Sequence, residues 1–154
     1  MSFEKNKAII RSLHEALNKH NPDLLDELMA LDYVDAPNTP HELRGLESVK
    51  QYYADVYRGF PDLHLTIEDI IAEGDKVWVR TTMTGTHTGE WEFFGITFAP
   101  TGKKMTWTAV HIFRIVDGKI VERKSVRDVL DLFKQLGVIE YTGKAKKLFP
   151  EDVK

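Results

Sequence analysis

The sequence predicts one domain of the α+β class, in which helices come first and a curved, mostly antiparallel sheet follows. Up to about residue 60, apolar residues recur at spacings of three and four, which is the period of an amphipathic helix. From about residue 63 they alternate with polar residues, which is the period of a strand. Helices followed by consecutive strands are the pattern of α+β domains. We expect the twisted sheet to curl around the helices and to enclose a pocket.

Three N-terminal helices are expected. The first begins at an N-cap, Ser2, and ends before the Asn21-Pro22 step. Asn21 then caps a second helix, with Pro22 at its first position, where the missing N–H has no cost. Residues 33–45 contain two prolines and a glycine and are predicted to be a loop, and a third helix covers residues 46–60.

The remaining elements are strands and one short helix. Strands are predicted from residue 63 onward, in the segments 63–67, 77–86, 105–116 and 119–128. Asp117-Gly118 separates the last two and is typical of a two-residue type I′ hairpin turn. A short C-terminal helix over 129–136 is expected to end at Gly137.

Composition excludes several classes of function. The 154 residues include no cysteine, so disulfides and thiolate zinc sites are ruled out. Net charge is −3 without a clustered basic face, which argues against a nucleic-acid partner. No window approaches 18 apolar residues and the start lacks a signal peptide, so we expect no membrane span and a cytoplasmic location. No histidine pair has metal-ligand spacing, and neither a metal nor a cofactor is expected.

The hairpin also predicts which side chains share a face of the sheet. With a two-residue turn, Val116 pairs with Lys119, and counting back fixes the register. One face then carries the candidate pocket residues Trp107, His111, Phe113, Glu122, Lys124, Val126 and Asp128. The opposite face, with Arg123, Ser125 and Arg127, is predicted to meet water or a second subunit.

This predicted inner face combines an apolar lining with a few polar groups, as ligand sites do. His111, expected to titrate near neutrality, and Asp128 are the candidate catalytic acid/base pair for moving a proton beside a carbonyl. Non-catalytic interpretations stay open. His111 fits a hydrogen-bonded core histidine, Asp128 fits an N-cap of the last helix, and Glu122 and Lys124 fit a simple ion pair.

Several short segments, in order and spacing, resemble the SnoaL-like polyketide cyclase family over about residues 5–140. These are Phe60-Pro-Asp-Leu-His-Leu, Ala72-Glu-Gly-Asp-Lys-Val-Trp-Val-Arg80, Thr84-Gly-Thr-His-Thr-Gly89, Pro100-Thr-Gly-Lys, Ile112-Phe-Arg-Ile, Asp117-Gly-Lys-Ile-Val-Glu122, and Asp128 followed by Gln135-Leu-Gly137. On this resemblance, residues 1–154 are one SnoaL-like domain with a C-terminal tail over 141–154.

The resemblance implies the nuclear transport factor two-like fold, a cone of curved sheet closed by three helices, and a homodimer. It also implies an intramolecular aldol condensation without metal or organic cofactor, in which a pocket Asp and His act as acid and base. His111 falls where the cyclases place a pocket histidine. Relatives commonly read Trp-Asp-x-Trp-Asp where this chain reads Lys124-Ser-Val-Arg-Asp128, so the catalytic carboxylate corresponds to Asp128 or, in another alignment, to Ser125.

The leading hypothesis is therefore a cofactor-independent cyclase or isomerase that acts on a hydrophobic carbonyl compound. Two alternatives remain. The first is a non-catalytic module that binds an apolar small molecule, and the second is a hydrolase or dehydratase on the same scaffold.

Overall fold

A computed structural model describes residues 2–35, 43–93, 95–148 and 150, and it has the expected α+β architecture. The helices are α1 (Phe3–Asn18), a 3₁₀ helix (Pro22–Glu27), α2 (Leu46–Gly59), α3 (Val129–Leu136) and α4 (Gly143–Leu148). The strands are β1 (Met29–Asp35), β2 (His64–Glu73), β3 (Lys76–Thr86), β4 (Trp91–Phe93), β5 (Ile96–Phe98), β6 (Lys104–Val116) and β7 (Lys119–Arg127). No helix in the described ranges is both long and apolar enough to cross a membrane.

Five strands form the main sheet, in the order β1-β7-β6-β3-β2. The β1–β7 pair is parallel and the other three pairs are antiparallel. The central strand β6 is 13 residues long, and buried residues alternate along it with more exposed ones. Successive side chains of a strand point to opposite faces, so the sheet has an inner face against the core and an outer face. Strands β4 and β5 form a separate hairpin.

Helix positions follow the capping signals, with one exception. Ser2 caps α1, its Oγ accepting from Lys5 N at 3.3 Å, and Gly137 ends α3 in the left-handed conformation, with φ of 76°. Asn21 also acts as an N-cap, but the predicted second α-helix is a 3₁₀ helix of 6 residues. The N-terminal part thus has two α-helices and one 3₁₀ helix rather than three α-helices. The chain leaves the helix because residues from Met29 onward pair with β7.

The predicted loop over 33–45 differs at its start. Residues 33–35 belong to β1, and Tyr33 and Asp35 are buried there. Residues 36–42 lie outside the described part of the chain. Within the expected tail, residues 143–148 form α4, whereas 149 and 151–154 are not described.

The β6–β7 hairpin has the predicted turn but a different register. Asp117 and Gly118 have φ values of 49° and 78°, as a type I′ turn requires, and Ile115 pairs with Ile120 as expected. The next pair is Arg114 with Glu122, so one residue of β7, Val121, is left without a partner in a β-bulge. The predicted register is therefore wrong beyond the bulge. A shift of one residue exchanges the two faces of β7.

Two glycines allow the β3–β4 loop to lie against the end of α2. The N–H groups of Thr88 and Gly89 donate to the carbonyl of Gly59, at 3.0 and 3.2 Å. A Cβ atom on Gly89 would lie 2.0 Å from the carbonyl oxygen of Arg58, and one on Gly59 would lie 2.7 Å from Cβ of Trp91. This close approach places the Trp91 ring in the aromatic part of the core.

We expect Gly89→Ala to lower the free energy of unfolding by about 3 kcal/mol, because the methyl group forces α2 and the loop apart. Chemical denaturation monitored by circular dichroism measures this change. Gly143→Ala is the matched control, because in the described part of the chain nothing outside the glycine's own helix and its neighbours lies within 4 Å of the added Cβ. Equal denaturation midpoints for wild type and Gly89→Ala would contradict the described approach of the two segments.

Candidate functional site

A cavity between α2 and the inner face of the sheet consists of two adjoining chambers. The outer chamber has a volume of about 240 Å³ and the inner chamber about 40 Å³. Four residues line both chambers: Tyr52, Phe93, Arg123 and Arg127. The rest of the outer chamber is formed by Asp35, Leu43, Ser48, Gln51, Asp55 and Glu92. The inner chamber is the smaller of the two and has room for a small part of a ligand.

The inner chamber is lined mainly by apolar and aromatic side chains, with two of the predicted catalytic residues at its wall. Its apolar lining comes from Val56, Leu63, Leu65, Met83, Trp91, Trp107 and Leu132. His111 and Asp128 both line it, as does Tyr53. The structure therefore brings His111, Asp128 and Trp107 to the same small space.

His111 is held by a residue that was predicted to face away from it. Its Nδ1 lies 2.7 Å from Oγ of Ser125, which is opposite His111 in the β6–β7 ladder. The prediction for Ser125 is wrong because the bulge at Val121 turns it inward. In the described part of the chain Nε2 of His111 has no hydrogen-bond partner, and this nitrogen is not fully enclosed. It is thus available to a group in the inner chamber.

His111 does not titrate near neutrality. Burial lowers the pKa of His111 well below its ordinary value, and the positive charges of Arg123 and Arg127 lower it further. The imidazole is consequently neutral at pH 7. In one tautomer the Ser125 hydroxyl donates to Nδ1 and the Nε2–H group can donate to a ligand.

Asp128 has the position that its capping interpretation predicts, and it also borders the inner chamber. Its Oδ1 accepts from Asp131 N at 3.0 Å, which caps α3, and the residue is exposed. Its other carboxylate oxygen has no partner among the described residues. The Asp128 side chain therefore caps α3 and borders the inner chamber at the same time.

The remaining predicted pocket residues lie elsewhere. Because of the bulge, Glu122, Lys124 and Val126 are on the outer face, and Val126 is 72% exposed. Glu122 and Lys124 form the simple ion pair that was the alternative, at 3.6 Å. Phe113 is buried on the inner face, with its ring centre 5.9 Å from that of His111, but it packs in the core and is not part of the described lining of either chamber.

The sequence did not reveal a buried ion pair at the cavity wall. Nε and Nη2 of Arg123 donate to Oδ1 and Oδ2 of Asp35, at 2.9 and 2.8 Å, and both side chains are almost fully buried. The Tyr33 hydroxyl also donates to Asp35, and burial raises the pKa of Tyr33, so this proton is retained. The sequence signal for this polar wall is the alternation of Arg123, Ser125 and Arg127 along β7. The predicted register assigns these residues to the opposite face.

Metal ligation receives no support from the described residues. No group of three or more His, Asp or Glu side chains there is arranged to hold a metal ion.

Comparisons with known proteins agree with the fold. The family model for SnoaL-like polyketide cyclases matches residues 7–136. Aklanonic acid methyl ester cyclase DnrD of Streptomyces peucetius is 29% identical over 133 residues, which cover 84% of this chain and 88% of that protein.

Solved structures give the same assignment. AclR of Streptomyces galilaeus, a candidate hydroxylase, superposes with a TM-score of 0.78 at 30% identity and covers 97% of this chain and 92% of its own. IdmH of Streptomyces antibioticus, a candidate polyketide cyclase, has a TM-score of 0.69 at 32% identity, over 86% of this chain and 98% of its own. Since the family model matches most of the chain and these relatives cover nearly all of it, the chain belongs to the SnoaL-like polyketide cyclase family.

Proposed function

We propose that this chain is a cofactor-independent enzyme that cyclises or isomerises a hydrophobic carbonyl compound by acid/base chemistry. The observation that carries the proposal is that the buried imidazole of His111 and the carboxylate of Asp128 line one largely apolar chamber, and that Nε2 of His111 has no hydrogen-bond partner among the described residues. Membership of the cyclase family supports an aldol condensation as the main form of this chemistry.

In the first step, the Asp128 carboxylate takes a proton from the carbon next to the carbonyl group, and an enolate forms. Its free oxygen is the basic atom, because the other oxygen is used by the cap of α3. A positioned general base of this kind contributes about 10²- to 10⁴-fold to a rate.

In the second step, the enolate oxygen accepts a hydrogen bond from Nε2–H of His111, in the tautomer in which Ser125 donates to Nδ1. Arg123 and Arg127 add positive potential at the same place. Fixed donors and charges that face a developing oxyanion stabilise it strongly where water is excluded.

In the third step, the enolate carbon attacks a second carbonyl group of the same molecule and closes a ring. The proton that Asp128 received returns to the resulting alkoxide, so atoms and charge balance without a metal or a cofactor. In an isomerisation, the same proton returns to another carbon instead. The predicted partner is therefore a hydrophobic small molecule, and the cytoplasmic location stays a prediction.

Two other functions fit specific observations. A binding module fits because the carboxylate of Asp128 also has a structural task at α3. Hydroxylation fits because AclR, which covers 97% of this chain, is a candidate hydroxylase. Liquid chromatography coupled to mass spectrometry distinguishes all three, since cyclisation gives a product of unchanged mass but different retention time, hydroxylation adds one oxygen atom, and a binding module yields no product.

We expect the wild-type protein to accelerate exchange of the α-protons of β-tetralone with deuterated water, as measured by proton NMR. Asp128→Asn should lower the enzymatic rate by at least about 100-fold, because the amide cannot accept the proton. Asparagine is also a good N-cap, so α3 and the stability of the fold are preserved.

Asp131→Asn is the matched control, because this neighbouring carboxylate contacts Gln135 and lies outside both chambers. Full exchange activity in Asp128→Asn would exclude Asp128 as the base. The absence of exchange in the wild type, together with tight ligand binding, would favour the binding module.

The lowered pKa of His111 predicts how stability depends on pH. As the pH falls through about 6.5, the unfolded imidazole gains a proton, whereas the folded one stays neutral to lower pH. The free energy of unfolding should therefore decrease below pH 6.5, by at most about 1.4 kcal/mol per pH unit for this group. His111→Gln should show a shallower decrease in denaturation series from pH 7 to 5. His64→Gln, at an exposed position, is the control. If the unfolding free energy of His111→Gln changed with pH as steeply as that of the wild type, the buried neutral state of His111 would be contradicted.

We also propose that two copies associate through the outer face of the sheet. Cross-strand neighbours there form the rows Ile71-Trp78-Ile112-Lys124 and Arg80-Val110-Val126. Ile71, Trp78 and Val126 are 66%, 46% and 72% exposed. Exposed apolar side chains on one face of a sheet, here beside the charged Arg80 and Lys124, are typical of protein interfaces.

Sedimentation velocity tests this association. We expect a dimer for the wild type and a monomer for Val126→Asp, since a carboxylate in an apolar interface is desolvated without a partner. Leu31→Asp, at an 83% exposed position on β1, should leave the dimer intact. A monomeric wild type at micromolar concentration would exclude the homodimer.

A further inference from the structure

Two guanidinium groups of β7 form the basic side of the cavity. Beyond the bulge, Arg123, Ser125 and Arg127 alternate along the strand and therefore share its inner face. Arg123 and Arg127 each line both chambers, whereas the hydroxyl group of Ser125 is bound to His111. The two arginines are thus placed at the junction between the chambers.

The two guanidinium groups differ in what they contact. Asp35 neutralises Arg123 through Nε and Nη2, and Nη1 has no hydrogen-bond partner within the described ranges. Arg127 is half-buried, and no described acidic side chain lies within ion-pair distance of it. Partial desolvation of a cation that has no counter-ion is unfavourable, and an anionic ligand group would relieve that cost.

Each carboxylate that borders the cavity is already paired, caps a helix or is exposed to solvent. Asp35 is paired with Arg123, and Asp55 is paired with Arg58 at 2.8 Å. Asp128 caps α3, and Glu92 is an exposed residue at the outer chamber. Arg127 therefore remains free to bind a group that enters from solvent.

We propose that the natural substrate is a keto acid with an apolar ring system, and that Arg127 binds its carboxylate. This inference rests on the proposed function and specifies its substrate class. The ring system lies in the outer chamber against Tyr52 and Phe93, and the keto oxygen enters the inner chamber toward His111. At the junction, Arg127 holds the carboxylate through paired N–H···O bonds, the geometry that guanidinium favours. Nη1 of Arg123 is a second donor to the same group.

This substrate class differs from that of a relative in one charge. DnrD is named for a methyl ester, in which the esterified carboxyl group carries no negative charge. A free carboxylate gives Arg127 a partner that an ester cannot provide. The affinity for an acid compared with the affinity for its own methyl ester is therefore the decisive measurement.

Isothermal titration calorimetry with β-naphthoate and its methyl ester tests the proposal, because both probes have the same rings and differ in charge. We expect the wild-type protein to bind the acid at least about tenfold more tightly than the ester. Arg127→Gln should lose about tenfold in affinity for the acid and keep its affinity for the ester, whereas Arg127→Lys should be intermediate. Arg11→Gln is the control, because Arg11 is an exposed residue of α1 and lines neither chamber.

Equal affinities for acid and ester in the wild type, or equal losses for both ligands in Arg127→Gln, would overturn the proposal. If Arg127→Gln fails to fold, the salt dependence of the wild type decides, since only the acid should bind more weakly at high salt. The test needs no turnover. Acid-selective binding without α-proton exchange would refute the enzymatic function alone, and exchange without acid preference would refute this inference alone.

Discussion

The ion pair between Asp35 and Arg123 joins the first strand of the sheet to β7 and fixes the polar wall of the cavity. The side chains are 4% and 6% exposed, and two hydrogen bonds connect them, with a third from Tyr33 to Asp35. Removing one partner of such a pair costs about 3–5 kcal/mol, because the other charge is left buried. The pair therefore holds Arg123 in place. It also engages the carboxylate of Asp35, which is then not available to another cation. Arg127 is left as the cation that a ligand can neutralise.

The same positive charges determine the state of His111. Burial and the two arginines disfavour a charged imidazole, so this histidine is a neutral hydrogen-bonding group at pH 7. A potential that opposes a cation also favours an anion. The environment that makes His111 a weak base is consequently suited to an enolate, and in the proposed mechanism the carboxylate of Asp128 transfers the proton.

Local signals predicted much of the fold. Caps, glycines and periodicity gave α1, α2 and α3, and Asp117-Gly118 gave the β6–β7 turn. The alternation along β6 placed His111 and Trp107 on the inner face. Non-local effects account for the failures: β1 exists because it pairs with a strand that lies far along the chain, and its formation shortens the preceding helix to a 3₁₀ helix.

The largest error in the candidate site has one cause. Val121 is a β-branched residue within a regular alternation, and nothing in its neighbourhood marks a bulge. A register counted through Val121 without the bulge puts Glu122, Lys124 and Val126 on the inner face. It puts Arg123, Ser125 and Arg127 on the outer face, which is the reverse of the structure. The partner of Arg123 lies 88 residues away in the sequence. The ion pair that favours this register therefore could not be predicted from the sequence near β7.

The cap of α3 has a consequence for the carboxylate that supplies it. The bond from Asp131 N restricts rotation of the Asp128 side chain, so its unbound oxygen keeps one direction relative to the inner chamber. A group already immobilised by its own helix loses little rotamer entropy when a ligand arrives. Preorganisation of this side chain is thus an inherent property of the junction between β7 and α3.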